Sequence, residues 1–205
     1  MERRELLKMI AILTGGVVIG GDVFLAGCTS KDADASTFSA DHIALLNEIG
    51  ETIIPATSTP GAKATDVGSF MKTIVTDCYT EPQQKAFADG LKGFNDACKK
   101  ATGKTFMDSN ADERKAYLIS LEKEAKEFNK QRDEKEKAAK EKARVDMDPN
   151  FVGAPSHYYT MMKQLSVWGY FSSEIGSKQA LRLRPIPGHY DGALPYKKGD
   201  KAWAI

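Results

Sequence analysis

The helical spacing of apolar residues constrains the fold of this chain more than any other feature. In the first of several such segments, Ile43, Leu46 and Ile49 recur at intervals of three residues, which places them on one face of a helix. Pro55 and Gly103 interrupt the spacing where helices should end. No stretch alternates apolar and polar residues convincingly, as a half-buried strand would. The sequence therefore predicts an all-α fold, a single helical domain with an irregular C-terminal tail packed on its surface.

Capping residues predict where the helices start. Side chains of Ser, Thr and Asp accept hydrogen bonds from the unpaired N–H groups of a first helical turn. Pro82 suits the first turn of a helix that begins near Thr80. The other predicted N-caps are Ser39, Asp66, Ser109 (in a capping box with Asp112) and Ser156.

A charged stretch, at about residues 129–147, follows the apolar face of the fourth helix. Pairs four residues apart, Asp133 with Lys137 and Glu136 with Lys140, support a helix by roughly 0.2–0.5 kcal/mol each. We interpret the stretch as a solvent-exposed helical elaboration. A partner-binding or lipid-facing arm is the alternative.

The first 27 residues have the parts of an export signal. Arg3 and Arg4, followed by Glu-Leu-Leu-Lys, resemble a twin-arginine signal, which carries proteins that have already folded. A glycine-broken apolar run ends at Leu-Ala-Gly-Cys28, which resembles a bacterial lipobox with an acylated cysteine. We predict a signal peptide over 1–27, a lipid tether over 28–37 and the helical domain over 38–205. The protein would then be lipid-anchored in the bacterial cell envelope, on the periplasmic side.

The net charge bears on the kind of partner, and the cysteine content bears on whether the domain contains a disulfide. The net charge is only +1, so no basic field favours nucleic acid as a partner. Once Cys28 is lipidated, Cys78 and Cys98 remain as an even pair in an oxidising compartment. We predict a disulfide between them. The alternative is two separate buried thiols.

Motifs for catalysis or cofactor binding are scarce. His42, His157 and His189 lie in three separate segments without metal-ligand spacing, so we predict no metal site and no cofactor in this chain. Glu174 is the one carboxylate in an apolar setting. It could serve as a general acid or base, but we favour an ion pair with Arg182 or Arg184 that ties the tail to the preceding helix.

Aromatic residues concentrate near the C-terminus, in greater number than the core of such a domain needs. Tyrosine and tryptophan are preferred anchors of protein interfaces. The predicted partner-interface residues are Trp168, Tyr170, Phe171, Tyr190, Tyr196 and Trp203. Core packing is the alternative for Trp168 and Phe171.

Two stretches of distinctive sequence carry a family resemblance. One is Trp-Gly-Tyr-Phe-Ser-Ser-Glu-Ile-Gly at 168–176, continued by Ala-Leu-Arg, Pro-Ile-Pro-Gly-His-Tyr-Asp-Gly and a late Ala-Trp. The other is Leu-Leu-Asn-Glu-Ile-Gly-Glu-Thr-Ile-Ile-Pro at 45–55, followed by Thr-Pro-Gly-Ala. Together they resemble the gluconate 2-dehydrogenase subunit 3 family. Many relatives carry a cysteine where this chain has Ala193, so any contact of that cysteine is absent here.

The resemblance implies a function. Members of this family are small, cofactor-free subunits that escort a large FAD-binding flavoprotein of the glucose–methanol–choline type through the twin-arginine pathway. Electrons commonly pass on to a cytochrome. We therefore predict a non-catalytic subunit that binds, co-exports and membrane-anchors a sugar or sugar-acid dehydrogenase, with Glu174 and Arg182 supporting the tail. The alternatives are an independent lipoprotein carbohydrate-binding module and a subunit that contributes Glu174 to a shared active site.

Overall fold

Five α-helices make up most of the part of the chain that the computed structural model describes. The described residues are 38–147, 151–186, 188–189, 191–195 and 197–204. The helices are α1 (Ala40–Ile53), α2 (Val67–Cys78), α3 (Glu81–Thr102), α4 (Ala111–Val145) and α5 (Tyr158–Ser172). The predicted all-α fold is confirmed. The signal peptide and tether predicted over 1–37 lie outside the described residues.

Ser39 and Thr80 start α1 and α3 as the sequence predicts. The Ser39 hydroxyl accepts from the backbone N–H of His42 at 3.3 Å. Thr80 forms a capping box with Gln83, whose side chain accepts from the Thr80 N–H at 3.0 Å. Gly103 ends α3 with a φ of +82°, in the left-handed region that glycine adopts at little cost.

Two other helices begin one residue later than predicted. Asn110, rather than Ser109, caps α4, because Asn110 and Glu113 each accept the other's backbone N–H at 2.9 Å. The buried Ser109 hydroxyl instead donates to a backbone carbonyl four residues earlier. His157, rather than Ser156, is the N-cap of α5.

Helix α5 is the centre of the bundle and packs against α1, α2, α3 and α4. Its buried residues are Tyr159, Met161, Met162, Leu165, Ser166, Gly169 and Tyr170. These positions span about half the circumference of the helix, and the other half carries exposed residues such as Trp168 and Phe171. The core therefore lies along the buried half of α5.

Helix α4 runs without a break from the core into the charged stretch. Its first half buries Tyr117, Leu118, Leu121 and Ala125, whereas most residues beyond 129 are exposed. With 35 residues, the helix is about 52 Å long. The charged stretch is thus an exposed continuation of a core helix.

Ion pairs decorate this continuation. The Lys140 ammonium lies 3.3 Å from Glu136, as predicted, and 2.7 Å from Asp133. Asp133 also pairs with Arg132 at 2.9 Å, so its predicted pairing with Lys137 is wrong. The reason is that Lys140 is long enough to reach both carboxylates one and two turns before it.

The segment that leads back to α5 is held against α4. The side-chain oxygen of Asn129 accepts from the backbone N–H of His157 at 2.9 Å, and the side-chain nitrogen of Asn129 donates to the Thr160 hydroxyl at 2.8 Å. Two turns further along α4, the Glu136 side chain accepts from the N–H of Ala154. These bonds fix where α5 begins.

The C-terminal tail departs from the prediction of a chain without strands. A π-helical turn, Gly176–Ala180, follows α5. Two short strands then pair in parallel, β1 (Arg182–Leu183) and β2 (Trp203–Ala204), with Arg182 opposite Trp203. Strands of two residues are too short to show the alternation by which a sequence reveals a strand.

The predicted disulfide between Cys78 and Cys98 is absent, and both thiols are free. Cys98 is fully buried on the core face of α3, and its sulfur lies 3.7 Å from the Thr102 hydroxyl. Cys78 is exposed at the end of α2. The prediction was wrong because an even count of cysteines does not show where each side chain points. The alternative of two buried thiols is correct for Cys98 alone.

Candidate partner-binding surface

Polar side chains of the first family-like stretch fix the loop that follows α1. The side-chain oxygen of Asn47 accepts from the backbone N–H of Gly68, at the start of α2, at 2.8 Å. The two carboxylate oxygens of Glu51 accept from the N–H groups of Ala56 and Lys63, each at 2.9 Å. Both ends of the loop over residues 55–61 are therefore bonded to α1.

Glu48 links α1 to α4. One of its oxygens lies 2.7 Å from a guanidinium nitrogen of Arg114, and the other pairs with Lys63. Burial raises the pKa of Glu48, but the hydrogen bonds and charges of Lys63 and Arg114 outweigh burial and lower the pKa below its usual value. The carboxylate therefore stays ionised and keeps the two helices together near neutral pH.

The second family-like stretch lies directly on this loop. The Tyr170 hydroxyl donates to the carbonyl oxygen of Pro60 at 2.7 Å, across 110 residues of sequence. A Cβ atom on Gly169 would lie 2.6 Å from the Phe70 ring, so only glycine lets α5 and α2 approach this closely. The two stretches that carry the family resemblance therefore form one structural unit.

The end of α5 is shaped by the same stretch. The Ser173 hydroxyl donates to the carbonyl oxygen of Tyr170 at 2.6 Å and accepts from the N–H of Gly176 at 2.9 Å. A Cβ atom on Gly176 would lie 1.9 Å from the backbone carbonyl oxygen of Tyr170. The chain can thus fold back onto the last turn of α5 only with glycine at position 176.

Four apolar residues beside this unit form what we call the aromatic surface: Phe70, Val167, Trp168 and Phe171. Val167 is 41%, Trp168 51% and Phe171 39% exposed, and Phe70 is half-buried. Phe171 follows Trp168 by three positions and Val167 by four, so its side chain is a neighbour of both on the helix surface. The Trp168 ring meets the Phe70 ring edge-on at 5.4 Å. Contiguous exposed apolar side chains of this kind mark interaction sites.

The six predicted interface residues have different positions. Trp168 and Phe171 lie on the aromatic surface, and their exposure argues against the core alternative. Tyr170 is only 2% exposed. Its prediction as an interface residue is wrong, because its ring fills the core and its hydroxyl is bonded within the chain. Trp203 is 45% exposed, but it lies in β2 of the tail. Tyr190 and Tyr196 lie outside the described residues.

Phe70 is the member of the aromatic surface that the sequence did not reveal. It precedes Trp168 by nearly half the chain and occupies an ordinary apolar position of α2. The only signal was Gly169, a glycine inside a helix, which commonly marks a close approach of another element.

Glu174 does not make the predicted ion pair. Its carboxylate is 77% exposed and lies 2.5 Å from the ammonium of Lys178, one helical turn later, rather than beside Arg182 or Arg184. The hydrogen bond from Lys178 lowers the pKa of Glu174, which disfavours the protonated form that a general acid needs. Arg182 does support the tail, since its guanidinium lies 4.4 Å from the centre of the Trp203 ring.

The three histidines lie on different elements of the structure. His42 is half-buried on α1, His157 caps α5 and His189 is exposed in the tail. Within the described ranges, no cluster of three or more His, Cys, Asp or Glu side chains could hold a metal ion. Burial lowers the pKa of His157, with the charge of Glu124 opposing that shift. None of the helices that the structure describes is both long enough and apolar enough to span a membrane.

Comparison with known proteins agrees with this arrangement. No curated protein and no solved structure matches the chain significantly. Residues 40–188 match the family described as Gluconate 2-dehydrogenase subunit 3. The matched range includes all five helices and both stretches that meet where Tyr170 bonds to Pro60. This chain therefore belongs to the gluconate 2-dehydrogenase subunit 3 family.

Proposed function

We propose that this protein is the non-catalytic small subunit of a membrane-associated dehydrogenase complex. It binds, co-exports and anchors a large FAD-dependent subunit of the glucose–methanol–choline type, which oxidises a sugar or sugar acid. Membership of the family supports a place in a dehydrogenase complex. The observation that carries the partner-binding role is the aromatic surface, where Trp168 and Phe171 are exposed side by side.

The rigidity of this surface favours a docking function. Tyr170 is buried and bonded to Pro60, and Gly169 packs on Phe70, so the last turn of α5 cannot shift easily. The Trp168 ring rests on Phe70. A preorganised surface loses less conformational entropy on binding than a mobile one.

The sequence supports the export and anchoring roles. Arg3 and Arg4 open a twin-arginine-like signal, and Cys28 ends a lipobox-like motif. Acyl chains on one cysteine would hold the protein on the membrane, since each buried methylene contributes about 0.8 kcal/mol. The complex would then lie on the periplasmic side of the cell envelope, with FAD in the large subunit and a cytochrome as a further electron-transfer partner.

The arrangement of titratable groups supports a non-catalytic role. Glu174 is exposed and paired with Lys178, and the described histidines do not converge. Substrate specificity would therefore reside in the large subunit.

The decisive experiment is affinity purification of the lipidated protein from native membranes, with mass spectrometry and an absorbance spectrum. We expect a co-purifying flavoprotein whose flavin absorbance bleaches when a sugar or sugar acid is added. A protein that purifies alone and colourless, under conditions that preserve complexes, would contradict the proposal.

Substitutions then test the surface. The double variant Trp168→Ala with Phe171→Ala should weaken binding of the flavoprotein by about 30-fold or more, because an aromatic anchor at the centre of an interface contributes about 2 kcal/mol or more. Phe128→Ala is the matched control, since Phe128 is 49% exposed on α4. Thermal unfolding by circular dichroism confirms that each variant is folded. Equal affinities of the double variant and the control would exclude the aromatic surface as the docking site.

A further inference from the structure

The C-terminal tail forms an open cleft of about 610 Å³ that does not include the aromatic surface. Its lining combines two arginines, Arg182 and Arg184, with the apolar side chains of Leu194 and Trp203. Among the described residues that line the cleft, Asp191 is the only carboxylate. The cleft therefore offers positive charge and apolar area together.

The two strands beside the cleft form a small parallel sheet. Strands β1 and β2 have two residues each, and within the described residues no third strand joins them. Two-stranded sheets are marginal in water, and parallel pairs are normally covered on both faces. An open strand edge is a template that an extended peptide can join.

Apolar side chains of the tail remain in solvent. Ile186 is 83%, Leu194 53% and Trp203 45% exposed. The tail is bonded near its two ends, where the Arg182 N–H donates to the carbonyl oxygen of Ala202 at 2.8 Å. Exposed apolar area around an open strand edge favours a polypeptide as the occupant of the cleft.

Arg182 is held at the cleft by Trp203. Its guanidinium carbon lies over the Trp203 ring, 4.4 Å from the ring centre, and this cation–π contact holds the side chain beside the cleft. Asp200 approaches one of these nitrogens at 3.8 Å, which is longer than a hydrogen bond. Two arginine side chains in one cleft can hold a carboxylate in bidentate geometry.

We infer that an extended segment of the large subunit occupies the tail cleft, adds a strand beside β1 and β2, and places a carboxylate of an Asp or Glu against Arg182 and Arg184. This inference rests on the proposed function, because it assigns the occupant to the same partner. The tail would then be a second contact region, separate from the aromatic surface. Its contribution to the affinity for the large subunit would fall as ionic strength rises.

The test compares two charge reversals in the full-length protein. Arg184→Glu should weaken binding of the co-purifying flavoprotein by about tenfold at low ionic strength, because it places like charges opposite each other. The difference should shrink as salt is added, since salt screens exposed charges. Arg144→Glu is the matched control, because Arg144 is an equally charged, 75% exposed residue at the end of α4. Its affinity should stay within about twofold of the unchanged protein, as is usual for a charge outside an interface.

Three results would overturn the inference, and they differ from failure of the proposed function. Equal affinities of the Arg184→Glu and Arg144→Glu variants would exclude the cleft while leaving the complex intact. Saturable quenching of Trp203 fluorescence by gluconate, measured in a Trp168→Phe background and lost in Arg184→Glu, would assign the cleft to a free acid. Self-association that Arg184→Glu abolishes would assign the cleft to a second copy of the chain. If the unchanged protein binds no flavoprotein, both proposals fall together.

Discussion

The contact between Gly90 of α3 and Tyr158 of α5 gives the sharpest test of how the bundle packs. A Cβ atom added at position 90 would lie 2.1 Å from the Cγ atom of Tyr158 and 2.5 Å from its Cβ atom. These atoms are the root of the side chain, so they cannot swing away without moving α5. The ring is confined further by the His157 ring, whose centre lies 4.4 Å from its own. We therefore expect Gly90→Ala to destabilise the protein.

The magnitude follows from two opposing effects. Overpacking a filled site costs about 1–3 kcal/mol, and a contact more than an ångström too short belongs at the upper end. Replacing glycine by alanine inside a helix gains about 1 kcal/mol. The net loss should be about 2 kcal/mol, which lowers the melting temperature by roughly 4–8 °C in a domain of this size.

Gly93 of the same helix provides the matched control. A Cβ atom there would meet nothing within 4 Å, so Gly93→Ala keeps only the helix-propensity gain and should raise the melting temperature by roughly 2–4 °C. Thermal unfolding followed by circular dichroism measures both. In a Tyr158→Gly background, which removes both the Cγ and the Cβ atom, Gly90→Ala should cost much less than it does in the unchanged protein. If Gly90→Ala is as stable as Gly93→Ala, the packing argument is refuted.

Three further predictions concern other parts of the fold. Gly61→Ala would place a methyl group 2.3 Å from the Glu51 carboxylate and should cost about 1–3 kcal/mol in urea unfolding; an unchanged midpoint would contradict the loop geometry. Cys78 should react with a thiol reagent in the folded protein and Cys98 only after unfolding. If neither thiol reacts until a reductant is added, even after unfolding, the two cysteines are disulfide-bonded and the assignment of free thiols is wrong. Burial lowers the pKa of His157 in the folded protein, so the unfolded chain binds the proton more tightly. The contribution of a neutral His157 to folding stability is therefore fully present above the unfolded pKa of about 6.5, and it is lost as the pH falls through the lower pKa of the folded state. His157→Asn, which keeps an N-cap residue, should reduce this loss between neutral and mildly acidic pH, and an unchanged pH profile would refute the assignment.

The helices could be predicted because their signals are local. Ser39 and Thr80 lie where their side chains can cap the next turn, and Gly103 supplies the left-handed conformation that ends α3. Caps could be missed by one residue, as at Asn110, because neighbouring polar residues offer similar bonds until packing selects one. The charged half of α4 was also evident, since residues that cannot enter a core stay in solvent.

The candidate site could be predicted only in part. The sequence indicated an aromatic cluster near the end of α5, but it did not show which residues of that helix face the core and which face solvent. Spacing separates the faces of a helix only when one face is polar, and the polar residues of α5 are spread around the helix rather than gathered on one face. Only the packed structure shows that Tyr170 points inward to Pro60 while Trp168 and Phe171 point outward.

The sequence by itself determined the helical class and the family, because both are written in residues close together in the chain; the resemblances to export and lipidation signals are local in the same way and stay predictions. The tertiary structure decided the states of Cys78 and Cys98, the partner of Glu174 and the membership of Phe70 in the aromatic surface. These depend on the distance between elements and on the direction of each side chain. Both are set by how helices pack, and here glycines such as Gly169 fix that packing by letting two elements touch.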